Sequence, residues 1–264
     1  DSGGPVRLGP GGVAVLTGGD PYTVADDPAT PPQAVIHPGQ RCTTPAGHEL
    51  VFMREFGVRT WGNSPTGRTV MLTGTYALDG EGSGRLLRAL PQLVVLGDDA
   101  LDSPLISLMA EEIVKDAPGQ EAVLDRLLDL LLIAALRAWF ARPEAEPPGW
   151  YTAHGDAVVG RALDLMHDDP AHPWTVAALA DATGVSRAAL ARRFNALVGE
   201  PPMAFLTGWR LALAADLLRE PGATVGSVAR AVGYGSPYAL STAFKRVRGL
   251  SPKEYRATVV SARA

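Results

Sequence analysis

One helical pattern occurs twice in the second half of this chain, and this repeat constrains the fold more than any other feature. Residues 175–186 read TVAALADATGVS, and residues 224–236 read TVGSVARAVGYGS. Thr, Val, Ala, Ala and Gly match at an offset of 49 residues. After one inserted residue the match continues at an offset of 50, pairing Ser186, Leu190 and Phe194 with Ser236, Leu240 and Phe244. A repeat of this length indicates one supersecondary unit built twice.

Each copy predicts a helix, a tight turn and a second helix. Thr175 is placed to cap the first helix by accepting from its free backbone N–H groups. Gly184 stands where a helix ends in the left-handed conformation, which costs glycine least, and Ser186 caps the next helix. Thr224, Gly233 and Ser236 take the same places in the second copy. Helix, glycine turn and helix are typical of a helix-turn-helix unit, and two matched copies favour this interpretation far more than one would.

The segments next to the copies are helical as well. Residues 205–218 predict one long helix that joins the two units and holds their separation. After the second copy, Ser251 and Glu254 form a capping-box pattern with Pro252 at the first helical position. The whole region from about residue 156 to residue 257 is therefore expected to be α-helical.

The first 110 residues predict β structure instead. Short apolar runs of strand length, bounded by Gly, Pro, Asn or Asp turns, lie at 13–16, 50–53, 70–72 and 93–96. Several such strands at this spacing favour a sandwich or a barrel. Because residue 1 is Asp and not Met, a barrel truncated in this chain is an alternative to a complete one.

The longest helical pattern covers residues 120–141. Its apolar stripe recurs at steps of three and four residues, at Leu124, Leu127, Leu128, Leu131, Leu132, Ala135 and Trp139. A stripe this wide is buried, either against its own domain or against the same helix of a second copy in a homodimer. Residues 142–149, rich in proline and charge, then predict a linker.

These patterns divide the chain into three predicted regions. They are a β-rich domain at 1–110, a helical segment with a proline-rich linker at 111–149, and an all-α domain at 150–264 with helix-turn-helix units at about 174–198 and 224–248. Residues 1–150 carry 11 Lys and Arg against 19 Asp and Glu, a net charge of −8, whereas residues 151–264 carry 13 against 9, a net charge of +4. This asymmetry indicates a polyanionic partner for the second half, with an ordinary solvated surface as the alternative.

Composition excludes several other classes of protein. A single cysteine leaves no disulfide scaffold and no multi-cysteine zinc module, and it suits a reducing compartment. No uncharged apolar run reaches the ~18–20 residues that span a bilayer. We therefore expect a cytoplasmic protein with no membrane partner. The sequence also lacks a Walker loop, a G-x-S-x-G elbow, an H-E-x-x-H motif and a dinucleotide fingerprint.

The stretch from Trp174 to Arg256 resembles the DNA-binding domain of the AraC/XylS family of bacterial transcription regulators. The segments that carry the resemblance are Leu190–Phe194, Gly199–Pro202, Trp209–Leu218, Val228–Tyr234 and Phe244–Arg256. The first half is similar, more loosely, to the cupin-type sensor domain of one branch of that family. The resemblance implies an α+β protein, with a cupin-like jelly roll or barrel ahead of the all-α domain. It implies sequence-specific regulation of transcription, with no enzymatic activity and no cofactor.

The resemblance also implies roles for residues on the second helix of each unit, which would enter adjacent major grooves about 34 Å apart. The base-facing positions are Arg187, Ala188, Ala191 and Arg192 in the first unit and Pro237, Tyr238, Ser241 and Thr242 in the second. The planar fork of Arg192 matches O6 and N7 of guanine. The expected phosphate partners are Ser186, Arg193, Lys245, Arg246 and Arg248. The expected molecular partners are double-stranded DNA, a small-molecule effector, RNA polymerase and, through residues 120–141, a second copy of the chain.

Three residues of the β-rich half support alternatives. His37 and His48 are weak candidates for a metal site, because a cupin barrel can hold a metal with histidines and a carboxylate, whereas turn or surface histidines are the ordinary explanation. Cys42 lies beside Arg41 and is a candidate redox sensor, with an inert thiol as the alternative. The second class of function is therefore a cupin-type metal-dependent enzyme with a helical appendage. A DNA-repair methyl acceptor would need several clustered cysteines.

Overall fold

The computed structural model of the chain describes residues 4–37, 41–50, 60, 62, 69–76, 80, 84, 87, 89–101 and 104–263, with side chains described to residue 258 in the last helix. The chain divides into two compact units, Asp1–Tyr76 with Pro91–Ala145 and Ala77–Leu90 with Glu146–Ala264.

In the first unit the described strands pair as two short antiparallel sheets. The strands are β1 (Val13–Leu16), β2 (Val35–Ile36), β3 (Cys42–Thr43) and β4 (Leu93–Leu96). β1 pairs with β4 over its full length, and β2 pairs with β3. The pairing of β1 with β4 joins residues about 80 positions apart, so this sheet brings the two ends of the β-rich region together.

The strand predictions are met unevenly. The two predicted strands that form β1 and β4 are confirmed, and in β4 the alternate residues Val94 and Leu96 are buried, as expected of a strand with one face on a core. The prediction for residues 70–72 is wrong, because no strand forms there. Val70 is 83% exposed, so this run lacks a buried face that would hold it in a sheet. Of the fourth predicted strand, residues 51–53 lie outside the described residues.

After β4 the described part of the first unit contains two α-helices, α1 (Leu105–Ile113) and α2 (Gln120–Phe140). The turn between them ends at Gly119, whose φ of 84° lies in the left-handed region. α2 is the helix predicted at 120–141, and it packs against both α1 and β4. The hydroxyl of Tyr76 donates to Asp129 Oδ1 across 3.2 Å, which ties α2 to an earlier segment of the same unit.

The second unit contains the repeated helices. In chain order they are α3 (Gly149–Ala153), α4 (Val159–Asp168), α5 (Val176–Thr183), α6 (Arg187–Val198), α7 (Pro202–Leu217), α8 (Val225–Ala231), α9 (Pro237–Arg248) and α10 (Pro252–Arg263). α5 and α6 form the first helix-turn-helix unit, α8 and α9 form the second, and α7 joins them. None of the helices in the described ranges is both long and apolar enough to cross a bilayer.

The predicted caps and turns of both copies are confirmed. In the first copy, Thr175 Oγ1 accepts from the third backbone N–H of α5 across 3.1 Å, Ser186 Oγ does the same for α6 across 3.2 Å, and Gly184 has φ 70°. In the second copy the corresponding cap and turn residues are Thr224, Ser236 and Gly233, the last with φ 80°. The capping box before α10 also forms, because the Ser251 N–H donates to Glu254 Oε2 across 2.7 Å.

Each helix-turn-helix unit has a core of its own. The first cluster of buried side chains includes Leu179, Leu190, Phe194, Phe205 and Leu206. The second includes Leu211, Val228, Leu240, Ala243 and Phe244. The two clusters share no residue, and the boundary between them falls on α7 between Leu206 and Leu211. α7 therefore contributes one end to each core, which is how a single helix can hold two units at a set separation.

Candidate nucleic-acid interface

Helix α6 has a buried side and an exposed side. Its buried side includes Leu190 and Phe194, each 0% exposed. The four predicted base-facing residues occupy positions 1, 2, 5 and 6 of the helix and are Arg187, Ala188, Ala191 and Arg192. Ala191 is partly buried, and the other three are exposed. Since residues one turn apart lie on the same side of a helix, the structure brings these four together on one face.

Helix α9 repeats this division. Leu240 and Phe244 are buried at the positions that correspond to the buried pair of α6. The predicted base-facing residues are Pro237, Tyr238, Ser241 and Thr242. Tyr238 is 82% exposed, so its ring lies almost entirely in solvent. The Ser241 hydroxyl donates to the Pro237 carbonyl oxygen across 2.8 Å, which occupies its only donor within the helix itself.

Arg193, which is predicted to bind a DNA phosphate, has a hydrogen-bonding partner within the protein. Its Nη2 and Nε both donate to Asp156 Oδ2, at 2.6 and 2.9 Å. The Asp156 carboxylate also accepts from the backbone N–H groups of Val158 and Val159, where α4 begins. The hydrogen bond from Val159 and the contact with Arg193 hold the pKa of Asp156 below its ordinary value. The side chain of Arg193 is nevertheless 52% exposed, so it lies at the surface in this ion pair.

The other predicted phosphate residues lie at the helix ends. Ser186 is the N-cap of α6, so its hydroxyl already accepts a backbone hydrogen bond. Lys245 and Arg246 are exposed in the last turn of α9. The guanidinium of Arg248 lies 5.7 Å from the centre of the Phe244 ring, a cation–π distance. These cations also suit the negative end of the α9 dipole.

Sequence reasoning missed two polar residues of this region. Asp156 holds Arg193 from a position 37 residues earlier in the chain. Arg210, in the middle of α7, donates to the carbonyl oxygens of Pro170 and His172. Neither pairing has a local sequence signal, because both join residues that only folding brings together. The one sequence hint is that Arg210 is the only basic residue of α7 and lies in the middle of its apolar pattern.

The candidate residues of the first unit are not assembled into a site by the described structure. The ring of His37 forms a 2.9 Å hydrogen bond with Thr43 Oγ1, and the backbone N–H of His48 donates to Thr44 Oγ1. Cys42 lies in β3 and is partly buried. Among the described residues, no three His, Cys, Asp or Glu side chains come close enough together to hold a metal ion.

Comparison with known proteins finds a separate family match for each half of the chain. A cupin family model matches residues 1–141, and a helix-turn-helix domain model matches residues 179–258. An AraC-like transcription regulator of Streptomyces lividans is 35% identical over 257 residues, which cover 96% of this chain and 80% of that protein. An AraC-like transcription regulator of Streptomyces antibioticus is 44% identical over 151 residues, which cover 57% of this chain and half of that protein.

Among solved structures, the chain is similar to the DNA-binding domain of AdpA, a global transcriptional factor, crystallised with a target DNA. The sequence identity is 30%, the match covers 41% of this chain and 97% of that one, and the TM-score is 0.40. The cupin match covers more than half of the chain, and the Streptomyces lividans relative is matched over most of its length. The chain is a cupin-containing member of the AraC-like family of transcription regulators, with an AraC-type helix-turn-helix DNA-binding domain.

Proposed function

We propose that the protein binds one face of a DNA duplex by placing α6 and α9 in successive major grooves. The observation that carries this is that the two helices have the same pattern of buried and exposed positions. Each buries its fourth and eighth residues and exposes its first, second and sixth residues to solvent. A recognition helix reads base edges with its early residues, and two joined units read half-sites one helical turn apart. Both α6 and α9 leave their early residues available for that purpose.

The two units would read DNA differently. Arg192 would form two hydrogen bonds to a guanine, while the methyl groups of Ala188 and Ala191 would contact thymine methyl groups. In the second unit, Pro237, Tyr238, Ser241 and Thr242 carry no charge, so we propose that α9 depends more on the shape of the groove and on phosphates. The sequence preference of the protein would therefore be strongest in the half-site bound by α6.

The cations at the ends of the helices would hold the duplex backbone. Lys245 and Arg246 are exposed and would bind phosphates directly, as would Arg248 beside its ring partner. The Ser186 hydroxyl lies at the start of α6, where backbone N–H groups favour an anion. Arg193 would contact a phosphate by exchanging its partner Asp156 for the DNA, which makes its contribution a difference between two ion pairs.

The first unit would sense an effector and form a homodimer through α2. Three apolar side chains on the outer side of this helix are 44–52% exposed, namely Val123, Leu130 and Ile133. They recur at steps of seven and three residues, so they form one stripe. We propose that this stripe, within residues 120–141, is the dimer contact. We propose domain limits at 1–110, 111–149 and 150–264. The remaining proposed partners are a small-molecule effector and RNA polymerase, and the proposed location is the cytoplasm.

Selection of bound sequences from a pool of random duplexes tests the function. We expect a bipartite motif with two conserved blocks about one helical turn apart, and a stronger preference in the block bound by α6. The Arg192→Ala variant, selected in parallel, identifies which block α6 reads, because only that block should change. A motif with a single block would contradict binding by two units, and no enrichment at all would contradict sequence-specific binding.

A further inference from the structure

The loop between α4 and α5 presents two carbonyl oxygens to one arginine. Arg210 Nε donates to the Pro170 carbonyl oxygen across 2.6 Å, and Nη2 donates to the His172 carbonyl oxygen across 2.7 Å. The guanidinium therefore uses two of its fixed donors on one loop, and a planar fork of this kind defines orientation as well as distance. Burial lowers the pKa of Arg210, as expected for a cation taken out of water.

The loop that Arg210 holds has its own internal order. Asp169 Oδ1 accepts from the His172 N–H across 3.0 Å, and the Asp169 carbonyl oxygen accepts from the Trp174 indole N–H across 2.9 Å. The rings of His172 and Trp174 lie 4.2 Å apart. The next residue, Thr175, is the N-cap of α5. A contact with this loop is thus a contact with the start of the first helix-turn-helix unit.

The turn of the second unit closes on the same point. A Cβ atom on Gly233 would lie 2.7 Å from the Ala171 carbonyl oxygen and 2.9 Å from Arg210 Nη2. The equivalent glycine of the first unit, Gly184, has open space around its Cβ position. Gly233 therefore has a steric requirement beyond its positive φ, and this requirement comes from the other half of the domain.

We infer that Arg210 is a positioning residue, which locks the second helix-turn-helix unit against the loop that opens the first and so sets the half-site spacing that the protein accepts. The two hydrophobic cores share no residue, so packing alone leaves the orientation of the units to the single helix α7 and to the contacts beside it. The junction of Ala171, Arg210 and Gly233 is such a contact. The effect of Arg210 on half-site spacing rests on the proposed function, whereas its effect on the orientation of the two units concerns the protein without DNA.

Distances between spin labels test whether Arg210 fixes the relative orientation of the two helix-turn-helix units in the absence of DNA. Ala182 and Ala231 are exposed residues at equivalent places in α5 and α8, and each can be changed to Cys in a full-length Cys42→Ser chain. Double electron–electron resonance, with excess unlabelled chain to dilute any dimer, reports the distance between the two units. We expect one narrow distribution for the parent and a distribution at least twice as broad for Arg210→Ala. Equal widths would overturn the inference.

Three further variants keep the test decisive if Arg210→Ala folds poorly. Gly233→Ala introduces the collision with Ala171 and should shift or broaden the distribution. Its matched control is Gly184→Ala, which carries the same backbone strain at φ 70° without a neighbour to strike, and which should leave the distribution as in the parent. Arg210→Lys restores the charge but not the fork, so it should fall between the parent and Arg210→Ala. Equal effects of the two glycine variants would also overturn the inference.

Binding to duplexes whose half-sites lie at different spacings tests whether Arg210 sets the half-site spacing that the protein accepts. With the half-sites found by selection, the parent should lose about tenfold or more in affinity when one or two base pairs are inserted between them. Arg210→Ala should bind each isolated half-site as the parent does, but its affinities should hardly depend on spacing. If the affinity of Arg210→Ala depended on half-site spacing as strongly as that of the parent, this role of Arg210 would be overturned. A parent without any spacing preference would instead contradict binding in two grooves, and the label distances would still decide what Arg210 does.

Discussion

Arg193 and Asp156 form an ion pair in which two nitrogens of the guanidinium donate to one carboxylate oxygen, at 2.6 and 2.9 Å. The pair connects the exposed side of α6 to the start of α4, 37 residues earlier. It also makes the Asp156 carboxylate a competitor of DNA phosphate for the Arg193 side chain, which is proposed to bind that phosphate. Two measurements, one on the free protein and one on the complex, separate these roles.

The Asp156→Asn variant should lose part of the pH dependence of stability. The pKa of Asp156 is lowered in the folded protein, first by the hydrogen bond from the Val159 N–H and then by Arg193. Its contribution is therefore fully present above the unfolded pKa of about 3.9 and is lost as the pH falls through the lower folded value. Denaturant unfolding from pH 2.5 to 7 should show the variant less stable by at most about 1 kcal/mol at neutral pH, converging with the parent in acid. Parallel curves would contradict this.

The same variant should bind DNA more tightly. Arg193 no longer has to leave an ion pair, and the plot of log affinity against log salt should steepen by up to about 0.9 if one further phosphate is neutralised. Asp181→Asn is the control, because it removes an exposed carboxylate from α5 of the same unit without touching Arg193. If both variants gain equally in affinity, the effect is general charge and not release of Arg193.

Arg192→Ala should lower DNA affinity by about 1–3 kcal/mol and relax the preference at one base pair, because a guanine loses two hydrogen bonds. Titration against all single-base variants of the selected site measures both effects. Thr242→Ala, at the equivalent position of α9, is the matched control and should change base preference little. An unaltered preference in Arg192→Ala would show that Arg192 does not read a base.

Lys245→Ala should weaken binding to all sequences alike. Its exposed ammonium in the last turn of α9 is proposed to neutralise one phosphate, so the salt slope should become shallower by about 0.9. Filter-binding or anisotropy titrations at four salt concentrations measure the slope for a specific and a random duplex. Lys115→Ala, whose ammonium pairs with Glu112 in the first unit, is the control and should leave the slope unchanged.

Charges on the exposed stripe of α2 should separate a dimer without unfolding the chain. Leu130→Glu with Ile133→Glu places two carboxylates where side chains are 52% and 45% exposed, so the free energy of unfolding of each chain should change little. Sedimentation equilibrium should show the molecular weight fall from dimer to monomer. Leu128→Glu is the contrasting variant, because Leu128 packs against Gly74 within its own unit, and it should destabilise the fold by several kcal/mol. A parent that is already monomeric would contradict the proposed contact.

The amount of structure that can be predicted from the sequence differs between the two units. In the second unit every cap, turn glycine and buried helix position named from the repeat is found in the structure, because each depends on a few neighbouring residues. In the first unit the run at residues 70–72 was expected to be a strand, and it is not one. An apolar run of three residues has strand propensity, but only a partner strand and a buried face make it a strand.

That one helix-turn-helix unit is built twice follows from the residues alone, since N-caps, left-handed glycines and helical periodicity are local properties that repeat with the sequence. The folding of distant segments decided that Gly184 has open space while Gly233 lies against Ala171, although both stand at the same place in the repeat. It likewise decided that Arg193 meets Asp156 and that Arg210 holds a loop about 40 residues away. Steric room and ion pairing act through space between distant segments, and a repeated pattern cannot report where two copies touch.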